Sequence, residues 1–100
     1  MALLSVIIPS YNEEDNIART AARLREVLTG ADIPYELLFI SDGSRDRTFE
    51  EIEKAAAADH CVKGYEFSRN FGKEAAIFAG LRQATGNCAV VIDCDLQHPP

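Results

Sequence analysis

Two carboxylates one residue apart, Asp93 and Asp95, follow directly on the apolar run Val90-Val91-Ile92. A carboxamide, an imidazole and two prolines come next (Gln97, His98, Pro99 and Pro100). Side chains alternate across extended chain, so Asp93 and Asp95 point to one side and Cys94 to the other. Like charges held that close repel. The arrangement becomes favourable when a hard divalent cation lies between them and a phosphate. Together with Gln97 the set offers oxygen ligands alone, which suits Mg²⁺ or Mn²⁺ better than zinc. His98 is the weaker candidate, because a lone loop histidine is usually just solvated. The same stretch also reads as a polar strand end entering a proline-closed loop.

Two further clusters carry chemistry. In Pro9-Ser10-Tyr11-Asn12-Glu13 the proline stiffens a loop, Tyr11 offers a flat face and a hydroxyl, and Glu13 can accept from a base or a ribose hydroxyl. The plain alternative is a strand stop followed by a helix cap with dipole-matched acids. Asp42-Gly43-Ser44 is a turn signature in its own right. At the end of a central strand, though, the Asp42 carboxylate can accept from the imide N–H of uracil or the donor edge of guanine, with Ile40 two residues back lining the base pocket. Arg69 and Lys73 bracket Asn70-Phe71-Gly72, where ordinary surface charge competes with a phosphate-facing role.

The elements that must position these residues alternate along the chain. Leu3 to Pro9 is an apolar, β-branched run of the kind buried on both faces of a parallel sheet. Asn12 is expected to cap a helix whose first turn is Glu13, Glu14 and Asp15, with Ile17, Ala21, Leu24 and Leu28 on its inner stripe and Gly30 as its stop. Tyr35 to Ser41 is a second strand. Thr48 and Glu51 predict a capping box opening a helix through Ala58. Cys61 to Ser68 predicts an edge strand, and Lys73 to Thr85 a helix with Ile77, Leu81 and Ala84 facing inward and Gly86 as its stop. Gly80 within it implies close packing on the sheet. Asn87 to Ile92 is the fourth strand. Such alternation gives an α/β, Rossmann-like three-layer parallel sheet with right-handed crossovers. In strand order 3-2-1-4 the three polar clusters converge at the carboxyl ends of the strands, where such sheets bind ligands.

Composition bounds the function. The chain has 100 residues, 47% hydrophobic and 26% charged, which is ordinary for one globular domain. A formal net charge of −6 argues against nucleic acid or an anionic membrane surface as partner. Such a chain handles a diphosphate only with metal or locally placed basic residues. Three cysteines without a Cys-x-x-Cys pair suggest neither a disulfide framework nor zinc, and a reduced, cytoplasmic setting fits. No basic leader and no membrane-length apolar run is present. Neither a Gly-x-Gly-x-x-Gly fingerprint nor a Walker loop follows the first strand, which disfavours nicotinamide and P-loop enzymes. The chain stops just after its most chemically loaded segment, so a piece of a longer protein is expected.

With these motifs in place, the chain resembles the family 2 glycosyltransferases, which have the GT-A nucleotide-diphospho-sugar transferase fold. The resemblance rests on Val6-Ile7-Ile8-Pro9-Ser10-Tyr11-Asn12-Glu13, on Asp42-Gly43-Ser44-Arg45-Asp46-Arg47-Thr48 and on Asp93-Cys94-Asp95-Leu96-Gln97-His98-Pro99-Pro100. Ser68-Arg69-Asn70-Phe71-Gly72-Lys73-Glu74 and the Asp-x-Asp-Leu-Gln ending look most like the branch that moves sugars onto polyisoprenyl phosphates, such as dolichyl-phosphate mannose synthases and bactoprenol glucosyltransferases. It implies that residues 1–100 form the nucleotide-sugar-binding part of a transferase domain. Pro9, Tyr11, Glu13, Ile40 and Asp42 would surround the nucleotide, Asp93 and Cys94 would lie near ribose and phosphate, and Asp95 with Gln97 would hold the metal. Three positions depart from the common pattern: Ser41 where an acid or asparagine is usual, Cys94 for alanine, and His98 for aspartate.

The resemblance further implies an inverting transfer from a UDP- or GDP-linked sugar to a lipid phosphate, at the cytoplasmic face of a membrane. The acceptor half lies farther along in relatives, so this segment is expected to bind donor without turning over, and no catalytic base is identified in it. An alternative is a non-catalytic nucleotide-sugar-binding or scaffolding module. A flavodoxin-like cofactor or signalling domain is disfavoured, because the acids fall on strands one, two and four together. An exposed sheet edge would also allow pairing with a second copy.

Overall fold

The structure, a computed structural model, describes residues 2–94. Strand β1 (Leu4–Ser10), helix α1 (Ile17–Gly30), β2 (Tyr35–Ser41), α2 (Thr48–Ala58), β3 (Val62–Glu66), α3 (Lys73–Gln83) and β4 (Cys88–Val91) alternate along the chain. The strands form one parallel sheet in the order β3-β2-β1-β4, the order in which the polar strand ends are expected to converge. Ile8 lies beside Phe39, and Phe39 beside Gly64.

Strand alternation divides the core into two layers. On one face Val6, Ile8, Leu37 and Phe39 pack with Ile17, Leu24 and Leu28 of α1 and Ile52 of α2. The opposite face presents Ile7, Leu38 and Ile40, all fully buried, beneath α3. The central strands are therefore covered on both sides, as continuous apolar runs require. Among the described residues strand β4 is an edge, and Val90 and Val91 remain about two-fifths exposed at 40% and 43%.

Three local expectations are corrected. Asn12 does not cap α1. It takes a left-handed turn at φ 53°, and the helix begins only at Ile17 after an Asn16 cap. Asn12 is instead drawn to the β2–α2 loop, where its N–H donates to Ser44 Oγ at 3.1 Å and its Oδ1 accepts from Arg45 N–H at 2.9 Å. The Thr48–Glu51 capping box does not form either. Asp46 accepts from the N–H of Thr48 at 2.9 Å and from its hydroxyl, while Glu51 pairs with Lys54 at 3.1 Å.

Helix α3 also turns differently from the expected stripe. Ala76 and Gly80 are its buried residues, whereas Phe78 and Leu81 are 63% and 48% exposed. The cause is proximity, since a Cβ on Gly80 would stand 2.5 Å from Ile7 Cγ2. Only small residues fit between this helix and the sheet. The helix ends at Gln83, before Gly86, because the Thr85 N–H and hydroxyl are taken by Glu36 at 2.7 and 3.1 Å.

Candidate functional site

At the carboxyl ends of β1, β2 and β4 a cavity of about 280 Å³ is lined by Pro9, Ser10, Tyr11, Glu13, Asp42, Lys73, Asp93 and Cys94. That size is near the lower end of what small-molecule sites use. The first two sequence clusters meet here because their loops are stitched together, and Asp93 and Cys94 of the third border the same cavity. Besides the Asn12 bonds, the Glu13 N–H donates to Thr48 Oγ1 at 2.8 Å, the Glu14 N–H to Asp46 Oδ2 at 3.3 Å, and the Arg47 N–H to Glu14 Oε1 at 2.9 Å. Reciprocal bonds between two loops satisfy backbone groups that helix formation leaves over. Burial would raise the Asp46 carboxyl, but the bonds from Thr48 outweigh it and hold the group below its ordinary range.

Tyr11 stands 42% exposed at the cavity. Glu13 Oε1 accepts from Asn16 Nδ2 at 2.7 Å. Asp42, only 4% exposed, is engaged by the loop before α3. Its Oδ1 accepts from Phe71 N–H at 2.8 Å and its Oδ2 from Gly72 N–H at 3.0 Å and Asn70 Nδ2 at 3.1 Å. Gly43 makes that contact sterically feasible: its φ is +64°, and a Cβ there would fall 2.1 Å from the Arg69 carbonyl carbon.

Asp93 lies across the cavity and pairs with Lys73 Nζ at 2.7 Å, both side chains well exposed. Cys94 is turned inward at 2% exposure, and its carbonyl accepts from the buried Thr20 hydroxyl. Both residues follow the end of β4 at Val91, and both border the cavity. Ile40 is fully buried and is not among the lining residues; it lies on the sheet face below Asp42. Asp95 and Gln97 lie outside the described residues.

Asp93 Oδ1 already faces a cationic nitrogen at the cavity rim, and an oxygen donor presented to positive charge fits a hard divalent ion. Among the described residues, the group of three potential metal ligands lying close together is Asp59, His60 and Cys61, at the opposite end of the sheet. Its chemistry suits a metal poorly. Asp59 is occupied by Tyr35 Oη at 3.0 Å and Cys61 N–H at 2.9 Å, and burial together with Asp59 pushes the Cys61 thiol up.

Ser10 and Lys73 line the cavity although sequence reasoning did not assign them to it. Lys73 carried a signal, its place just after Gly72 at a helix start, but surface charge was the stronger reading. Ser10 carried none: its hydroxyl bonds locally to the Ile8 carbonyl at 3.2 Å.

A sheet in this order, with its cavity at the strand ends, is the architecture of nucleotide-sugar transferases of the GT-A type. The glycosyl transferase family 2 pattern matches residues 5–100, and the chain belongs to that family. It is 50% identical over 96 residues to an uncharacterized glycosyltransferase of Bacillus subtilis, YkcC, covering 96% of this chain and 30% of that one. A prophage bactoprenol glucosyl transferase homolog of Escherichia coli is 43% identical, with 96% and 31% covered. Among solved structures, the mannosyltransferase PcManGT of Pyrobaculum calidifontis, in complex with GDP-Man and Mn²⁺, superposes with a TM-score of 0.84 at 27% identity. The match covers 99% of this chain and 29% of that one. The chain therefore spans about 30% of the length of the curated relatives it matches. None of the described helices is long and apolar enough to cross a membrane.

Proposed function

We propose that the whole protein transfers a sugar, with inversion, from a UDP- or GDP-linked donor to a polyisoprenyl phosphate at the cytoplasmic face of a membrane. The observation that carries the reading is the meeting of Tyr11, Glu13, Asp42 and Asp93 around one cavity at the strand ends. Donor class is supported by the GDP-Man held by the structural relative, and acceptor class by the bactoprenol relative. In this reading Tyr11 and Glu13 meet the nucleoside, and Asp93, Asp95 and Gln97 hold Mg²⁺ or Mn²⁺. A cation so bound supplies charge neutralisation at the diphosphate.

The transfer balances without a redox partner. An acceptor phosphate oxygen forms a bond to the anomeric carbon while the bond from that carbon to the donor phosphate breaks, and the nucleoside diphosphate leaves with the electron pair. Because a phosphate nucleophile is already ionised, little general-base assistance is needed. The test is to incubate full-length protein with labelled UDP-glucose or GDP-mannose, Mn²⁺ and undecaprenyl phosphate. Label in the lipid extract, with the anomeric configuration reversed, is expected. Label that stays in the aqueous phase with both donors overturns the proposal.

A further inference from the structure

We infer that Lys73 is the side chain that positions the donor's diphosphate, and that Asp42 acts in the site chiefly by holding Lys73 in place. The inference rests on the proposed donor class and adds residue roles to it.

Among the described lining residues, Glu13, Asp42 and Asp93 are acidic and Lys73 alone is cationic. A diphosphate approaching three carboxylates is repelled unless positive charge is stationed among them. Lys73 is so stationed, its Nζ 2.7 Å from Asp93 Oδ1. With side chains 60% and 68% exposed, that ion pair is a weak, water-screened one, so exchanging it costs little. When a phosphate enters with its counter-cation, Asp93 can turn to the cation and Lys73 to the phosphate. Each charge keeps a partner throughout. Lysine suits the task, being a point charge on a flexible stem.

The stem is aimed by the loop before it. Phe71 and Gly72 give their N–H groups to the Asp42 carboxylate, and Asn70 adds its amide. Gly72, at φ 105° and ψ 157°, then turns the chain directly into Lys73, the first residue of α3. Such a backbone conformation is accessible essentially to glycine alone. The Asp42 acceptor positions are thus directed at Asn70, Phe71 and Gly72, which makes the carboxylate a support for α3 before it is a reader of the base.

The test uses full-length protein, with Mn²⁺ and UDP or GDP followed by calorimetry and the parent nucleosides, uridine and guanosine, by ligand-observed nuclear magnetic resonance. Lys73→Met is expected to weaken the nucleoside diphosphate about tenfold and leave the nucleoside unchanged, and Lys73→Arg to restore most of the loss. Asp42→Asn is expected to weaken the diphosphate similarly, with the double variant no weaker than Lys73→Met alone, the signature of residues acting as one unit. Wild-type affinity in Lys73→Met, or an equal loss of nucleoside and diphosphate, overturns the role of Lys73. If Asp42→Asn loses nucleoside affinity and adds to Lys73→Met, Asp42 reads the base and its supporting role is overturned. Failure of the wild type to bind either diphosphate overturns the donor assignment itself, a different outcome from binding that Lys73→Met leaves intact.

Discussion

Glu36 and Asp42 face the same side of the central strand, and between them they hold both ends of α3. Asp42 receives Phe71 N–H at 2.8 Å just before the helix, and Glu36 receives Thr85 N–H at 2.7 Å just after it. Six residues of extended chain span roughly 20 Å, and the 11 residues of α3 cover about 16 Å, so the two carboxylates are spaced to bracket one helix. That bracket sets the helix whose first residue, Lys73, reaches the cavity.

Glu36 makes the bracket sensitive to acid. Burial would raise its carboxyl, yet bonds from Ser5, Thr85 and Lys63 lower it from the ordinary 4.5 to about 2. A group depressed on folding contributes stability that is fully present above its unfolded value and disappears as pH falls through the folded one. The contribution, on the order of 3 kcal/mol, is therefore intact above about pH 4.5 and lost towards pH 2. Urea unfolding across this range should show a steep acid limb. In Glu36→Gln that limb should flatten, with lower stability at neutral pH; an unchanged limb would contradict the role given to Glu36.

Glycine substitutions should separate steric from conformational need. Gly43→Ala meets both a positive φ and a Cβ 2.1 Å from the Arg69 backbone, and should cost at least about 2 kcal/mol. Gly72→Ala has open space around it but φ +105°, so backbone strain alone should cost roughly 1–3 kcal/mol. Gly30, the last residue of α1, has neither problem, and Gly30→Ala should be neutral or stabilise by up to about 1 kcal/mol. Denaturant midpoints of the three variants check this ordering.

At Gly80 two effects oppose each other. Alanine gains about 1 kcal/mol of helix propensity, but its Cβ would stand 2.5 Å from Ile7 Cγ2, and overpacking costs roughly 1–3 kcal/mol. The steric term should win, so Gly80→Ala is expected to lower the melting temperature. A rise would mean that α3 shifts away from the sheet cheaply.

Asn12→Ala tests the seam between the first two loops. It removes an acceptor for Arg45 N–H and places alanine at φ 53°, a combined cost of about 1–2 kcal/mol. Asn12→Gly relieves the backbone but not the lost bond, so it should recover part of the loss in denaturant unfolding.

Much of this arrangement was legible from the chain itself. β-Branched runs such as Val6-Ile7-Ile8 declare buried parallel strands, the run Tyr35–Ser41 coincides with β2, and β3-β2-β1-β4 is the order that lets the polar strand ends converge. What escaped was governed by distant partners. Asn12 looks like a cap because its neighbours are acidic, but Ser44 and Arg45 decide its conformation. The inner face of α3 is chosen by contact with Ile7, against the pull of Ile77 and Leu81. Asp42 reads locally as a turn acid, and its bonds to Asn70, Phe71 and Gly72 join segments whose relation no local pattern encodes.

The central claim is that loops far apart in sequence form one cation-assisted nucleotide site. Paramagnetic broadening by Mn²⁺ with UDP or GDP, on isotope-labelled full-length protein, tests it directly. Amide signals of Tyr11, Glu13, Asp42, Lys73 and Asp93 should broaden together, while those of Asp59, His60 and Cys61 at the far end of the sheet stay sharp. Broadening centred on Asp59 to Cys61, or on one of the three loops alone, would contradict the account.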